Sequence, residues 1–132
     1  MENKFENPKD LKYTKDHEWV RVEGNKAVIG ITDTAQSLLG DVVFVELPEV
    51  GAEYSAHDSV ASIESVKAVS DVFTPVGGKV VEVNFELENS PDVVNKSAFG
   101  DGWIAVIEMS DPSELDSLMS VEEYGRFLAE GE

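Results

Sequence analysis

The chain has 132 residues, 27 acidic against 10 basic side chains for a formal charge of −17, and no cysteine. That length supports one hydrophobic core, and 42% hydrophobic residues fit a globular chain rather than a disordered one. The charge repels phosphate backbones and anionic head groups, so nucleic acid and membrane are poor partners. Without cysteine there is no disulfide framework, thiolate metal site or cysteine nucleophile.

Residues 1–7 contain neither an apolar core nor an arginine-rich amphipathic pattern. They read as neither signal nor transit peptide, and the expected compartment is the cytoplasm. No apolar run approaches the ~18 residues needed to span a bilayer. The expected layout is one domain: an N-terminal extension (1–10), a β core (11–110) and C-terminal helices (111–132).

In chain order, residues 17–22 alternate as a strand, and Glu23-Gly24-Asn25 turns the chain into a second at 26–31. A short helix follows, with Asp33 as cap, Gln36 three residues on and Gly40 as stop. Residues 41–47 form a valine-rich strand closed by Pro48. Two more strand-like runs occupy 60–66 and 68–74, and Pro75-Val76-Gly77-Gly78 is a turn. Strands at 79–83 and 103–109 complete the β content, with a helical turn starting at Ser90-Pro91-Asp92.

The tail changes period. Asp111-Pro112-Ser113-Glu114 has the cap, the early proline and the glutamate of a capping box, predicting a helix over 112–119. Ser120 and Glu123 repeat the box. Val121, Tyr124 and Leu128 then recur at helical spacing until Gly131, predicting a helix over 121–130. The seven acids and one base of residues 111–132 read as a solvated helix face.

One echo runs through the β core. Gly40-Asp41-Val42-Val43-Phe44-Val45 and Gly78-Lys79-Val80-Val81-Glu82-Val83 share G-x-V-V-x-V at an offset of 38. A pseudo-two-fold β sandwich would produce such a pair.

Between the copies lies an isolated lysine. From residue 27 to 78 there are eight acids and one base, Lys67. Both flanks are strand-like, so a chain reversal here would put Lys67 on a hairpin tip, within reach of another enzyme. Lysine amines are protonated near neutral pH. Acylation there requires an enzyme that activates the acid and supplies a base.

The surrounding blocks resemble the glycine cleavage H-protein family. They are Lys12-Tyr13-Thr14-Lys15-Asp16-His17-Glu18-Trp19-Val20, Gly30-Ile31-Thr32-Asp33, the run from Gly40-Asp41-Val42-Val43 to Gly51, and Glu64-Ser65-Val66-Lys67-Ala68-Val69-Ser70-Asp71. Gly102-Trp103 and Ser110-Asp111-Pro112-Ser113-Glu114-Leu115 continue the family order. The match spans about residues 11–128. Small departures occur at Ala98-Phe99, where proline and tyrosine are common, and at Gly77, where serine often stands.

The resemblance implies a mainly β barrel-sandwich hybrid with short helices, two of them C-terminal. It implies lipoate in amide linkage to Lys67, and a carrier rather than an enzyme. Its partners would be a pyridoxal-phosphate glycine decarboxylase (P protein), a tetrahydrofolate-dependent aminomethyltransferase (T protein), dihydrolipoamide dehydrogenase (L protein) and lipoate-attaching enzymes. The aminomethyl group of glycine would pass from the first to the second, and electrons to the third.

Glu64 would be read by the modifying enzymes, while Glu18 and Asp71 would shelter the loaded arm. The plainer alternatives are an exposed strand residue at Glu18, a solvated Asp71 and an inert surface acid at Glu64. His17 and His57 lack ligand spacing, and Trp19 and Trp103 read as core aromatics. No nucleophile, base and orienter occur together as an enzyme would need.

Two related carriers fit less well. A biotin carrier places its lysine between methionines, and a 2-oxo acid dehydrogenase lipoyl domain places aspartate before it; here Val66 and Ala68 flank Lys67. Within the family, an octanoyl or lipoyl relay scaffold for other enzymes is the alternative function.

Overall fold

The first hairpin joins β2 (Glu18–Glu23), which alternates over Val20-Arg21-Val22-Glu23, to β3 (Lys26–Ile31), which is apolar after Lys26 and buried on both faces, around Gly24 at φ +64°. In this computed structural model, which describes residues 7–130, that hairpin seeds a six-stranded antiparallel sheet. Residues 1–6 of the expected extension and the expected helix end at Gly131 lie outside the described residues. The other strands of this sheet are β1 (Lys12–Tyr13), β5 (Glu53–Tyr54), β8 (Gly78–Val83) and β9 (Ala105–Met109), in the order β1-β2-β3-β9-β8-β5. The second sheet is β4-β6-β7, from β4 (Val42–Glu46), β6 (Ser59–Ser65) and β7 (Val69–Phe73).

The inward faces of both sheets share one core. Val20, Ile29 and Ile107 of the larger sheet cluster with Val45, Ile63 and Val72 of the smaller one, all essentially inaccessible to water. Each such side chain contributes roughly 1.5–3 kcal/mol by leaving water. A second cluster forms on the other face of β2, β3 and β9, where Trp19, Val28 and Val106 meet Tyr124 and Leu128 of the C-terminal helix α4 (Val121–Ala129). Tyr13 stacks on Tyr124 at 4.7 Å, and the Trp19 indole N–H donates to the Ala98 carbonyl at 3.0 Å. Trp19 is thus a core aromatic as expected; Trp103 is half-buried against the same cluster.

The sequence echo has a structural counterpart. Its two copies are β4 and β8, one in each sheet, and both carry an irregularity at the equivalent residue. Pairing shifts between Val42 and Phe44 in β4, and between Val80 and Glu82 in β8. Val43 and Val81 are those skipped residues. Each copy also opens on a glycine with positive φ, Gly40 at +82° and Gly78 at +152°.

Several local expectations shift. The first helix, α1 (Asp33–Leu39), is capped by Thr32 rather than Asp33: the Thr32 hydroxyl accepts the Ala35 N–H and also hydrogen-bonds the Tyr124 hydroxyl at 2.9 Å. A tertiary partner therefore selects the cap. The predicted 112–119 helix is a 3-10 helix ending at Ser117, because Met119 pairs both its backbone groups with Tyr13 at 2.8 Å. Asp111 caps it, but Glu114 does not close a box. Its carboxylate accepts the Gly77 N–H at 2.9 Å instead. The Ser120–Glu123 box at α4 is complete. Trp103 and Ile104 precede β9 rather than joining it, and two single-turn helices, α2 (Glu86–Asn89) and α3 (Val93–Lys96), bracket Ser90-Pro91-Asp92.

Candidate functional site

Lys67 stands at the tip of the β6–β7 hairpin, exposed to solvent between Ser65 and Val69. The turn lacks glycine and asparagine because a serine side chain makes it. The Ser65 hydroxyl accepts the N–H groups of Lys67 (3.3 Å) and Ala68 (3.1 Å), while the Ser65 N–H donates to the Ala68 carbonyl at 2.8 Å. Such local hydroxyl bonds stand in for turn residues. Ser65 is buried, so the tip is fixed from within.

The tip also rests on the body. The Val66 N–H donates to the Asp41 carbonyl at 3.0 Å. Gly40 lies under the lysine stem, where an added Cβ would sit 3.2 Å from Lys67 Cε. Gly40 ends α1, as expected from the sequence; its role beneath Lys67 is visible only in three dimensions.

Glu64 points outward from β6. Cross-strand register sets it in the row Phe44–Glu64–Val69, with Phe44 51% and Val69 69% exposed. Lys67 and Glu64 form no ion pair within the described residues.

Glu18 is the main surprise of the site. It is not an exposed strand residue but 3% accessible, and its carboxylate joins the two sheets. One oxygen accepts the Thr14 hydroxyl at 2.8 Å; the other accepts the Phe73 N–H of β7 at 2.9 Å. Burial pushes this carboxyl up to about 7, against the lowering effect of those two hydrogen bonds.

Glu18 and Asp71 do come together. Both line a cleft of about 160 Å³ between β7 and α1, with a third acid, Asp16, and His17 and Ser70 beside them. Its apolar wall is Ile31, Ala35, Leu38, Leu39, Ile63 and Val72. Leu38 and Leu39 belong to the helix whose end, Gly40, underlies Lys67. His17 is engaged with the fold, its Nδ1 2.8 Å from the Tyr124 hydroxyl, whereas His57 is exposed. Among the described residues, no group of three or more histidine, aspartate or glutamate side chains could hold a metal ion.

Comparison with known proteins gives one answer. The model of the family "Glycine cleavage H-protein" matches residues 11–131. The chain belongs to that family. It is 60% identical over 121 residues to the glycine cleavage system H protein of Coprothermobacter proteolyticus, covering 91% of this chain and 95% of that one. With the H protein of Geobacillus sp. (strain WCH70) the identity is 56% over 124 residues, covering 94% and 98%. The crystal structure of a glycine cleavage system H protein from Mycobacterium marinum superposes with a TM-score of 0.86 at 36% identity, covering 93% of this chain and 99% of the other.

The family membership carries the function. The chain is the lipoyl carrier of the glycine cleavage system, a carrier protein and not itself an enzyme, and its system partners are the P, T and L proteins. The expected mainly β fold with two sheets and a C-terminal helix is the fold found.

The cleft suits a lipoyl group. Its six-residue apolar wall matches a hydrocarbon arm, and an exposed amine stands on the adjoining hairpin.

Proposed function

We propose that Lys67 is the residue that bears the lipoyl group, in amide linkage at the hairpin tip. The observation that carries this reading is the fixed, outward tip itself. Ser65 holds the turn, and Lys67 is the only lysine or arginine between residues 27 and 78. When bound, the lipoyl group supplies the dithiolane that accepts the one-carbon amine and the electrons. The chain supplies the tether, the cleft and an acidic surface for basic partners; tethering raises the local concentration of the arm at each partner. Lipoate-attaching enzymes are its further partners, and the bacterial relatives support a cytoplasmic carrier.

Glu64 is the contact those attaching enzymes read. It lies three residues before Lys67, outward-facing and without an ion-pair partner among the described residues. Glu64→Ala is expected to slow lipoylation roughly tenfold, as loss of one charge-assisted contact does. Its melting temperature should stay close to that of the parent. Timed mass spectrometry on both proteins checks this, and equal rates would reject the role.

Glu18 and Asp71 hold a cationic cargo amine at the cleft. Their carboxylates, with Asp16 at the same cleft, favour an ammonium there and have no such attraction for an uncharged arm. The double change Glu18→Gln with Asp71→Asn is expected to release the aminomethyl group from isolated loaded protein several-fold faster, with lipoylation unaffected. Since Glu18 ionises only near pH 7, retention by the parent should weaken as the pH falls below that value. High salt should weaken it as well. Equal lifetimes in parent and variant would transfer the sheltering role to the partner enzymes.

A further inference from the structure

Asn95 ties together, from beneath, the segment on which the lysine hairpin rests. Its amide nitrogen donates to the Gln36 side-chain oxygen at 2.9 Å and to the Gly40 carbonyl at 2.9 Å. Its oxygen accepts the Val42 N–H at 2.8 Å. Both hydrogens and the acceptor are therefore engaged, and three elements converge on one side chain: α3, the end of α1 and the start of β4.

These bonds have a local reason. The last carbonyls of a helix lack partners within it, and β4 opens on an irregular stretch where pairing with β6 skips a residue. Asn95 satisfies groups that neither helix nor ladder can serve. Capping alone would explain that much.

What lies on top of the segment goes further. Between the two clamped residues is Asp41, whose carbonyl accepts the N–H of Val66, the residue before Lys67. Gly40 itself lies under the lysine stem. The tip's backbone bond to the body and the seat of its lysine thus both fall on residues 40–41. Ser65 shapes the turn through hydroxyl bonds within the hairpin, and its register partner on the body is Val42, the residue whose N–H Asn95 accepts. The same clamp holds the end of α1, whose Leu38 and Leu39 wall the cleft.

We propose that Asn95 is a positioning residue for the Lys67 arm, holding hairpin tip and cleft wall in one frame. The proposal rests on Lys67 as the acylated residue. With the clamp released, the tip samples orientations that an attaching enzyme must reorder on binding, and that ordering lowers its efficiency.

The test uses the full-length apo chain, lipoate, ATP and a lipoate-attaching enzyme, with hydrogen exchange read in parallel. In Asn95→Ala, the Val66 amide is expected to exchange about tenfold faster, as for loss of a supported hydrogen bond. The Ile104 amide, bonded to the Ile29 carbonyl in the larger sheet, should keep its rate. Lipoylation at Lys67 should slow roughly five- to tenfold.

Asn95→Asp fills nearly the same volume while losing both donors, and should move both readouts in the same direction if the alanine variant folds poorly. An unchanged Val66 rate, an unchanged lipoylation rate, or equal acceleration of Val66 and Ile104 would overturn the proposal. Lipoylation of the parent at another lysine would instead refute the Lys67 assignment; Val66 exchange alone would then decide whether Asn95 holds the tip.

Discussion

Lys67→Arg is expected to fold like the parent and to accept no lipoate. The side chain is exposed, and its recorded close neighbour is Gly40 beneath the stem, a contact the arginine methylenes can keep. Stability should therefore change by no more than about 0.5 kcal/mol, as for other surface substitutions. Chemistry should fail completely. Guanidinium stays protonated under conditions where an enzyme can free an amine, and so offers no nucleophile to an activated acid. Intact mass and peptide mapping before and after lipoylation read the result directly. The other candidates for misassignment are poorly placed: Lys79 lies mid-ladder in β8 opposite Glu53 and Glu108, and Lys96 is paired with Asp92 at 3.0 Å. Abundant adduct at either of them, with Lys67 bare, would overturn the assignment.

Long periodic segments and special residues were legible from sequence because they act locally. The β2–β3 hairpin follows from the alternation of its first strand and the Glu23-Gly24-Asn25 turn, and α4 from its complete capping box and the spacing of Tyr124 and Leu128, both fully buried. The echo of β4 and β8 was legible too, although its equivalent irregularities at Val43 and Val81 were not. Two-residue strands such as Lys12–Tyr13 and Glu53–Tyr54 are too short to show any period. The Thr32 cap and the shortened 3-10 helix depend on Tyr124 and Tyr13, partners distant in sequence.

The site divides along the same line. The tip position of Lys67 was readable because two strand-like runs flank it in one contiguous motif. The Ser65 turn could have been found in that motif from its hydroxyl chemistry, which competes with ordinary turn signals. Asn95 could not, since its three partners lie 53 to 59 residues away. The burial of Glu18 was only half legible: alternation sets it on the same strand face as buried Val20. Its distant partner Phe73, on β7, is visible only in the packed structure.

That burial makes the second large prediction. Glu18 has a folded-state value near 7 against 4.5 when unfolded, because burial disfavours its charge. Between those values the native chain holds a proton that the unfolded chain has lost. The contribution of Glu18 to stability is therefore fully present below pH 4.5 and is lost as the pH rises through 7. The full difference is on the order of 3 kcal/mol.

Glu18→Gln removes the buried charge while keeping an oxygen for the Phe73 N–H. At pH 8 the variant should be more stable than the parent by about 1–3 kcal/mol, and near pH 5 the two should converge. Paired denaturant melts across that range isolate the effect, because the two proteins differ at this one carboxyl of a −17 chain. A stability difference that stays flat from pH 5 to 8 would mean that Glu18 titrates as an ordinary carboxyl. If the difference opens as expected, and the variant pair still loses its cargo faster, Glu18 is a charge retained at the cleft against the stability of the fold. Such a conflict between local burial and global stability is the signature of a functional position.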